Sequence, residues 1–290
     1  MIETYAFLAA FAVQMLVMSL LIPVWFIKYV RAESASIPAE RLAQLFPGVD
    51  LKLAHGRFLT RYRALTAGIA VLGLLLLGWL FSYMRRPNWD EGTVDALVAV
   101  YFLAAYLLPL VLSAWVGVRF TKEHRRSLVQ AKRTATLQRR GLFDFVSPFV
   151  VALAALGYVL FAAFVLYLRL HPFLGFAGFI NLGALTLVYA LNAFVVYMTL
   201  HGKKRNPFGT HEGRLHMIGL TVKSSVYSCI VIVVYLSLNF SLRLLDMKRW
   251  EPFALSVFFI ICALVASMGF AAPLRRPEVN ELRSDGRLTP

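Results

Sequence analysis

Seven long stretches without a formal charge constrain this chain more than any other feature. Each is at least about 18 residues long, which is the length that a helix needs to cross the hydrocarbon core of a bilayer. The predicted spans are residues 5–27, 64–84, 96–118, 145–168, 173–200, 224–242 and 252–274. The sequence therefore predicts an all-α integral membrane protein with seven transmembrane helices.

The composition supports this fold class. Hydrophobic residues make up 59% of the chain and charged residues 16%, whereas soluble domains have roughly 45–50% and about 25%. The loops between the spans are too short for separate domains, so residues 1–290 are predicted to form a single polytopic membrane domain. The first few residues contain an acidic residue, Glu3, and no basic one, and the first apolar run is long enough to span a bilayer. We therefore expect this run to be a retained helix rather than a cleaved signal peptide.

The distribution of basic residues predicts the orientation. The loops at residues 28–63 and 119–144 contain seven and eight Lys or Arg, and 24 of the 30 basic residues lie on the same side as these loops. Cytoplasmic loops carry such an excess. We therefore expect the N-terminus outside and the C-terminal tail, residues 275–290, in the cytoplasm. The expected location is a bacterial inner (cytoplasmic) membrane.

The basic segment 119–144 is predicted to continue the third transmembrane helix and to bind anionic lipid headgroups, at about 1 kcal/mol for each basic residue near the surface. A protein partner is the alternative. Nucleic acid is disfavoured because no aromatic side chains are interleaved with the charges for base stacking. The candidate residues for lipid or partner binding are Arg125, Arg126, Lys132, Arg133, Arg139 and Arg140.

The seven predicted helices can be read as a 3+1+3 parallel pseudo-repeat, in which the fourth helix connects two triplets of the same orientation. This outline is similar in topology to the SWEET and PQ-loop transporters. The resemblance is confined to topology. Those families carry Pro-Asn or Pro-Gln in the first helix of each triplet, whereas this chain has Pro23-Val24 in the first helix and no proline between Phe173 and Leu200.

Charged groups within a membrane mark proton and ion pathways because they are costly to bury. The predicted helix cores contain none, and Asp95 is expected at a helix end, within reach of water. This pattern argues against proton coupling through a buried carboxylate and leaves an uncharged solute open. Motifs for nucleophilic catalysis, nucleotide binding, metal ligation or haem attachment do not occur, so no cofactor is predicted. Enzymatic activity is disfavoured, although a lipid-modifying activity of loop residues stays open.

Uncharged polar residues do occur within the predicted helices. Gln14, Asn181, Tyr189 and Asn192 are candidates to line a polar cavity for a neutral or zwitterionic solute. The alternative is that they form hydrogen bonds between helices, worth about 0.6–2 kcal/mol each.

The leading functional hypothesis is transport or binding of a small uncharged or amphipathic solute or lipid, by alternating motion of the two triplets. The alternative is a non-catalytic scaffold or accessory subunit. Its basic cytoplasmic face would bind a protein partner. A homo-oligomer is a separate alternative.

Overall fold

The computed structural model describes residues 2–35, 51–125, 141–173, 176–201 and 211–271, and within these ranges it is helical without β-strands. Seven helical segments are long and apolar enough to cross a membrane. The predicted all-α fold with seven spans is confirmed, and the chain is a polytopic membrane protein. The helices are α1 (Ile2–Leu16), α2 (Ile22–Ala35), α3 (Leu51–Tyr83), α4 (Glu91–Arg125), α5 (Pro148–Leu170), α6 (Phe179–His201), α7 (His211–Leu244) and α8 (Glu251–Ala271).

A π-helical turn, Val17–Leu21, joins α1 and α2 into one span. The backbone N–H of Ile22 donates to the carbonyl of Val17, five residues earlier. Pro23 follows directly, and its ring lacks an N–H and clashes with the carbonyl four residues before it. The wider π turn at this point is the expected accommodation of that proline.

Helix boundaries differ from the prediction in two ways. Helix α3 begins at Leu51 rather than 64, and α7 begins at His211 rather than 224, because a helix can continue through charged residues after it leaves the bilayer. Helix α6 starts at Phe179 rather than 173, after Gly178, whose positive φ of 59° interrupts the helix. The sequence pattern locates apolar spans, and these local features set where each helix begins.

The chain forms two compact units. Unit 1 contains Met1–Gln14, Leu77–Ala99 and Thr136–Ala266, and unit 2 contains Met15–Leu76, Val100–Ala135 and Ser267–Pro290. In unit 1, helices α5, α6 and α7 pack against one another. Their shared core consists of buried apolar side chains: Phe161, Val165, Leu168, Leu185, Val233 and Phe240.

In unit 2, the π turn is tied to α4 by a hydrogen bond between the hydroxyls of Ser19 and Tyr101, 3.0 Å apart. Gly73 of α3 lies against the same tyrosine. A Cβ atom at Gly73 would lie 2.8 Å from the hydroxyl oxygen of Tyr101 and 2.8 Å from two side-chain atoms of Met15. The missing side chain of Gly73 is what permits this close packing.

The basic segment that the sequence singles out falls largely outside the described residues. Arg125 is the last residue of α4, which supports the predicted extension of this helix beyond the apolar span. The side chain of Arg125 is outside the description, as are Arg126, Lys132, Arg133, Arg139 and Arg140. Their binding of lipid or a partner stays a prediction.

Candidate functional site around Glu251

The turn between α7 and α8 positions the charged residues of the candidate site. The N–H of Met247 donates to the carbonyl of Leu242, and that of Asp246 to the carbonyl of Arg243. This pair of bonds is the Schellman arrangement, which usually has glycine at the left-handed position. Asp246 occupies that position here, with φ of 57°. The chain therefore reverses within a few residues of Arg243.

Glu251 is the first residue of α8 and follows a 3-10 turn, Lys248–Trp250. Pro252 comes next, where a helix tolerates proline because the first backbone N–H groups have no partner within the helix. The short reversal brings the two helix ends together. A guanidinium nitrogen of Arg243 lies 2.8 Å from Oε2 of Glu251.

The two members of this ion pair differ in burial. The side chain of Glu251 is 4% exposed and that of Arg243 is 34% exposed. Oε1 of Glu251 and Nε of Arg243 are buried without a hydrogen-bond partner among the described residues. Buried polar groups in proteins are nearly always hydrogen-bonded. The pair therefore leaves one acceptor and one donor unsatisfied.

Asp95 of α4 belongs to the same cluster. Its carboxylate is close enough to Glu251 and Arg243 to interact with their charges, and its Oδ1 is buried without a partner among the described residues. Tyr235 of α7 lies near both carboxylates. A cavity of about 150 Å³ lies between these charged groups. Its lining residues are Glu91, Gly92, Asp95, Arg243, Lys248 and Glu251; we call it the Glu251 site.

A larger cavity of about 410 Å³, which we call the mouth, shares Glu91 and Lys248 with the Glu251 site. Glu3 and Asp246 add two further acidic side chains to its lining. The two cavities are therefore adjacent, and the buried carboxylate of Glu251 lines the smaller one, which we call the chamber.

Asp90 caps the helix that carries Asp95. One oxygen of its carboxylate accepts hydrogen bonds from the backbone N–H of Thr93, at 2.7 Å, and from the Thr93 hydroxyl, at 2.8 Å. The hydrogen bond from the Thr93 side chain is the main reason that the pKa of Asp90 lies below its ordinary value. An ionised cap at this position fixes the start of α4 and so the location of Asp95.

Two of the four residues predicted to line a polar cavity form hydrogen bonds to the backbone. The hydroxyl of Tyr189 donates to the carbonyl of Ala154 on α5, at 2.9 Å, and also lies 3.4 Å from the carbonyl of Cys229 on α7. The amide nitrogen of Asn192 donates to the carbonyl of Val188 in its own helix. The Tyr189 bonds connect helices, as the structural alternative expects, whereas the Asn192 bond lies within α6. The solute-binding role of the two residues stays a prediction.

Of the other two residues, Asn181 also lies on α6, and Gln14 lies on α1. Asn181 is partly buried near the start of α6. Gln14 of α1 is fully buried, and both polar atoms of its amide lack a hydrogen-bond partner among the described residues. No hydrogen bond therefore connects Gln14 to the three candidates on α6.

The sequence interpretation missed the Glu251 site. It assigned Arg243 and Glu251 to a short loop and expected Asp95 to meet water, whereas Glu251 is buried and Asp95 has a buried oxygen. The sequence signal that could have indicated this site is the pair of opposite charges, one at either end of a short connection between two spans.

Comparison with known proteins gives no match. No protein-family model, curated protein or solved structure is significantly similar to this chain.

Proposed function

We propose that this polytopic membrane protein transports a small polar solute, and that the solute enters through the Glu251 site. The observation that carries the proposal is the carboxylate of Glu251, which is 4% exposed and has one oxygen without a partner. Burying an ionised group is costly unless its hydrogen bonds are complete. A solute that donates to this oxygen recovers that cost on binding.

Gln14 provides a second polar position at greater depth. It follows Glu3, which lines the mouth, by eleven residues in the same helix, which corresponds to roughly 16 Å at 1.5 Å per residue. Its buried amide has both a donor and an acceptor to offer. A solute that leaves the Glu251 site would thus meet another unsatisfied polar group farther into the membrane. The orientation predicted from the basic loops makes the mouth the outer entrance.

This proposal keeps the transport class that the sequence favours and changes the expected ligand. An uncharged solute was favoured because the predicted helix cores contain no charge. Glu251 lies just before the predicted span 252–274 but is buried, and it therefore adds a charge that a polar or cationic solute can meet. The scaffold alternative depends on Arg126, Lys132 and their basic neighbours, which lie outside the described residues. Observations within the described part of the chain favour transport.

Reconstituted vesicles can identify the solute and test the proposal in one experiment. Liposomes containing the purified protein are incubated in the small-molecule fraction of a cell extract and washed, and their contents are identified by mass spectrometry. We expect at least one solute to accumulate in vesicles with the wild-type protein relative to empty liposomes. Glu251→Gln should reduce this uptake strongly, and Gln14→Ala should reduce it as well.

Asp144→Asn is the matched control for Glu251→Gln. It removes the same charge, but Asp144 is exposed and lines neither cavity. Asparagine keeps a side-chain oxygen that can accept the hydrogen bond from the backbone N–H of Gly141. Uptake should therefore be unchanged in this variant. If wild-type vesicles take up nothing beyond empty liposomes, or if the Glu251 and Asp144 variants behave alike, the proposal is wrong.

A further inference from the structure

We propose that the ligand of the Glu251 site is a small primary amine with a hydrogen-bond acceptor next to its ammonium group, as in a 2-amino alcohol. This inference rests on the proposed function, since it names the class of solute that the same site would admit. It is argued from the unsatisfied atoms, the charges and the size of the chamber.

The unsatisfied atoms define a pattern that the ligand must complement. Oε1 of Glu251 and Oδ1 of Asp95 are buried acceptors, and Nε of Arg243 is a buried donor. An ammonium group has three N–H donors, enough to reach both carboxylates. A hydroxyl oxygen two carbons away would accept from Arg243. A small molecule with these groups therefore offers a complementary partner to each of the three atoms.

The charges favour a monovalent cation. The chamber wall has three carboxyl groups, those of Glu91, Asp95 and Glu251, and two basic side chains, those of Arg243 and Lys248. When all three carboxyl groups are ionised, the negative charges exceed the positive charges by one. One ammonium neutralises the difference. A divalent metal ion fits less well, because the described part of the chain contains no group of three His, Cys, Asp or Glu residues positioned to hold a metal.

The chamber also has room for a small ligand. Its volume of about 150 Å³ equals roughly five water molecules at about 30 Å³ each, which is sufficient for an amine with four heavy atoms. The same 2-amino-alcohol chemistry occurs in a free solute and in the headgroup of phosphatidylethanolamine. Both sources present the ammonium group to Glu251 in the same way.

Thermal unfolding of the full chain in phosphatidylcholine nanodiscs tests the ligand class. Ethanolamine should raise the unfolding temperature with saturable binding, and methylammonium should bind more weakly because it has no acceptor for Arg243. Tetramethylammonium has the same charge but no N–H donor and should have no effect, nor should acetate. Equal effects of ethanolamine and tetramethylammonium would overturn the proposal, because only general charge attraction would then be at work.

Two variants show whether binding occurs at this site. Glu251→Gln should weaken ethanolamine binding by about tenfold or more, as expected for loss of a hydrogen bond to a charged group. Asp144→Asn, which removes a charge from an exposed residue outside both cavities, should bind as the wild type does. If Glu251→Gln fails to fold, Asp95→Asn takes its place with the same expected loss. Unchanged binding in the folded variant would overturn the proposal.

Nanodiscs of phosphatidylethanolamine distinguish the two sources. If the lipid headgroup occupies the site, these nanodiscs should stabilise the wild type but not Glu251→Gln, and free ethanolamine should have no further effect. If the ligand is a free solute, ethanolamine should act equally in both lipids. The vesicle experiment separates this inference from the proposed function: uptake of a solute without an ammonium group would refute the ligand class and leave transport intact.

Discussion

Removing the Arg243 side chain should lower the free energy of unfolding much more than removing the charge of its partner, Glu251. Arg243→Ala leaves the carboxylate of Glu251 buried, at 4% exposure, without its cation. Breaking a buried pair in this way typically costs 3–5 kcal/mol. Because the Arg243 side chain is 34% exposed and water screens part of the interaction, we expect a loss of about 2–4 kcal/mol in the free energy of unfolding.

Glu251→Gln, the substitution of the other partner, should lower the free energy of unfolding by less. Glu251→Gln keeps the shape of the side chain and removes the buried charge. The remaining Arg243 is exposed enough for water to solvate it, and it can still interact with Asp95. We therefore expect a loss of about 1 kcal/mol or less, as for a neutral hydrogen-bonded replacement. Adding Arg243→Ala to the Glu251→Gln protein should then change little.

A double-mutant cycle measures this difference. The free energy of unfolding of the four proteins is obtained by denaturant titration in detergent micelles, with extrapolation to zero denaturant. The coupling energy should be about 2–3 kcal/mol, since an exposed ion pair is worth only about 0–1 kcal/mol. A coupling below about 1 kcal/mol, with Arg243→Ala nearly neutral, would falsify the buried carboxylate on which the proposed site depends.

Two further substitutions test the packing and the hydrogen bonds. Gly73→Ala places a Cβ 2.8 Å from the hydroxyl oxygen of Tyr101 and should destabilise the protein by about 1–3 kcal/mol. The control, Gly68→Ala, adds a Cβ with no atom within 4 Å and should be neutral or stabilising by up to about 1 kcal/mol. Equal effects of the two substitutions in thermal or chemical unfolding would contradict the close packing at Gly73. Tyr189→Phe removes the hydrogen bond to the carbonyl of Ala154 and should lower stability by about 0.6–2 kcal/mol, with little change in vesicle uptake. A large loss of uptake at normal stability would instead place Tyr189 in the solute pathway.

The spans could be predicted from the sequence because the bilayer imposes one strong condition. A segment that crosses the hydrocarbon must be apolar over its whole length and must satisfy its own backbone hydrogen bonds. That condition does not fix where a helix ends in water. Helix α3 has 33 residues, which corresponds to about 50 Å, more than the bilayer core requires. Its first turns contain charges, so a search for charge-free runs could not include them.

The Glu251 site could not be predicted because it depends on three-dimensional packing. A carboxylate next to a loop is expected to be solvated, and Glu251 precedes Pro252, a common helix start. Its burial follows from the reversal at Asp246, which returns the chain towards α7, and from the approach of α4 with Asp95. The sequence shows opposite charges at 243 and 251, but it does not show which residue from a distant helix will complete the cavity.

Several departures from the usual rules of folding lie at or near this one turn. Asp246 adopts a left-handed conformation that glycine normally occupies, and Glu251, Arg243 and Asp95 each bury an atom without a partner among the described residues. Each departure costs stability, and a sequence selected for stability alone would have lost them through glycine at 246 and apolar residues at the other positions. Natural proteins retain such costs mainly at functional sites. The unsatisfied donor and acceptors are therefore the atoms at which the proposed binding should be tested.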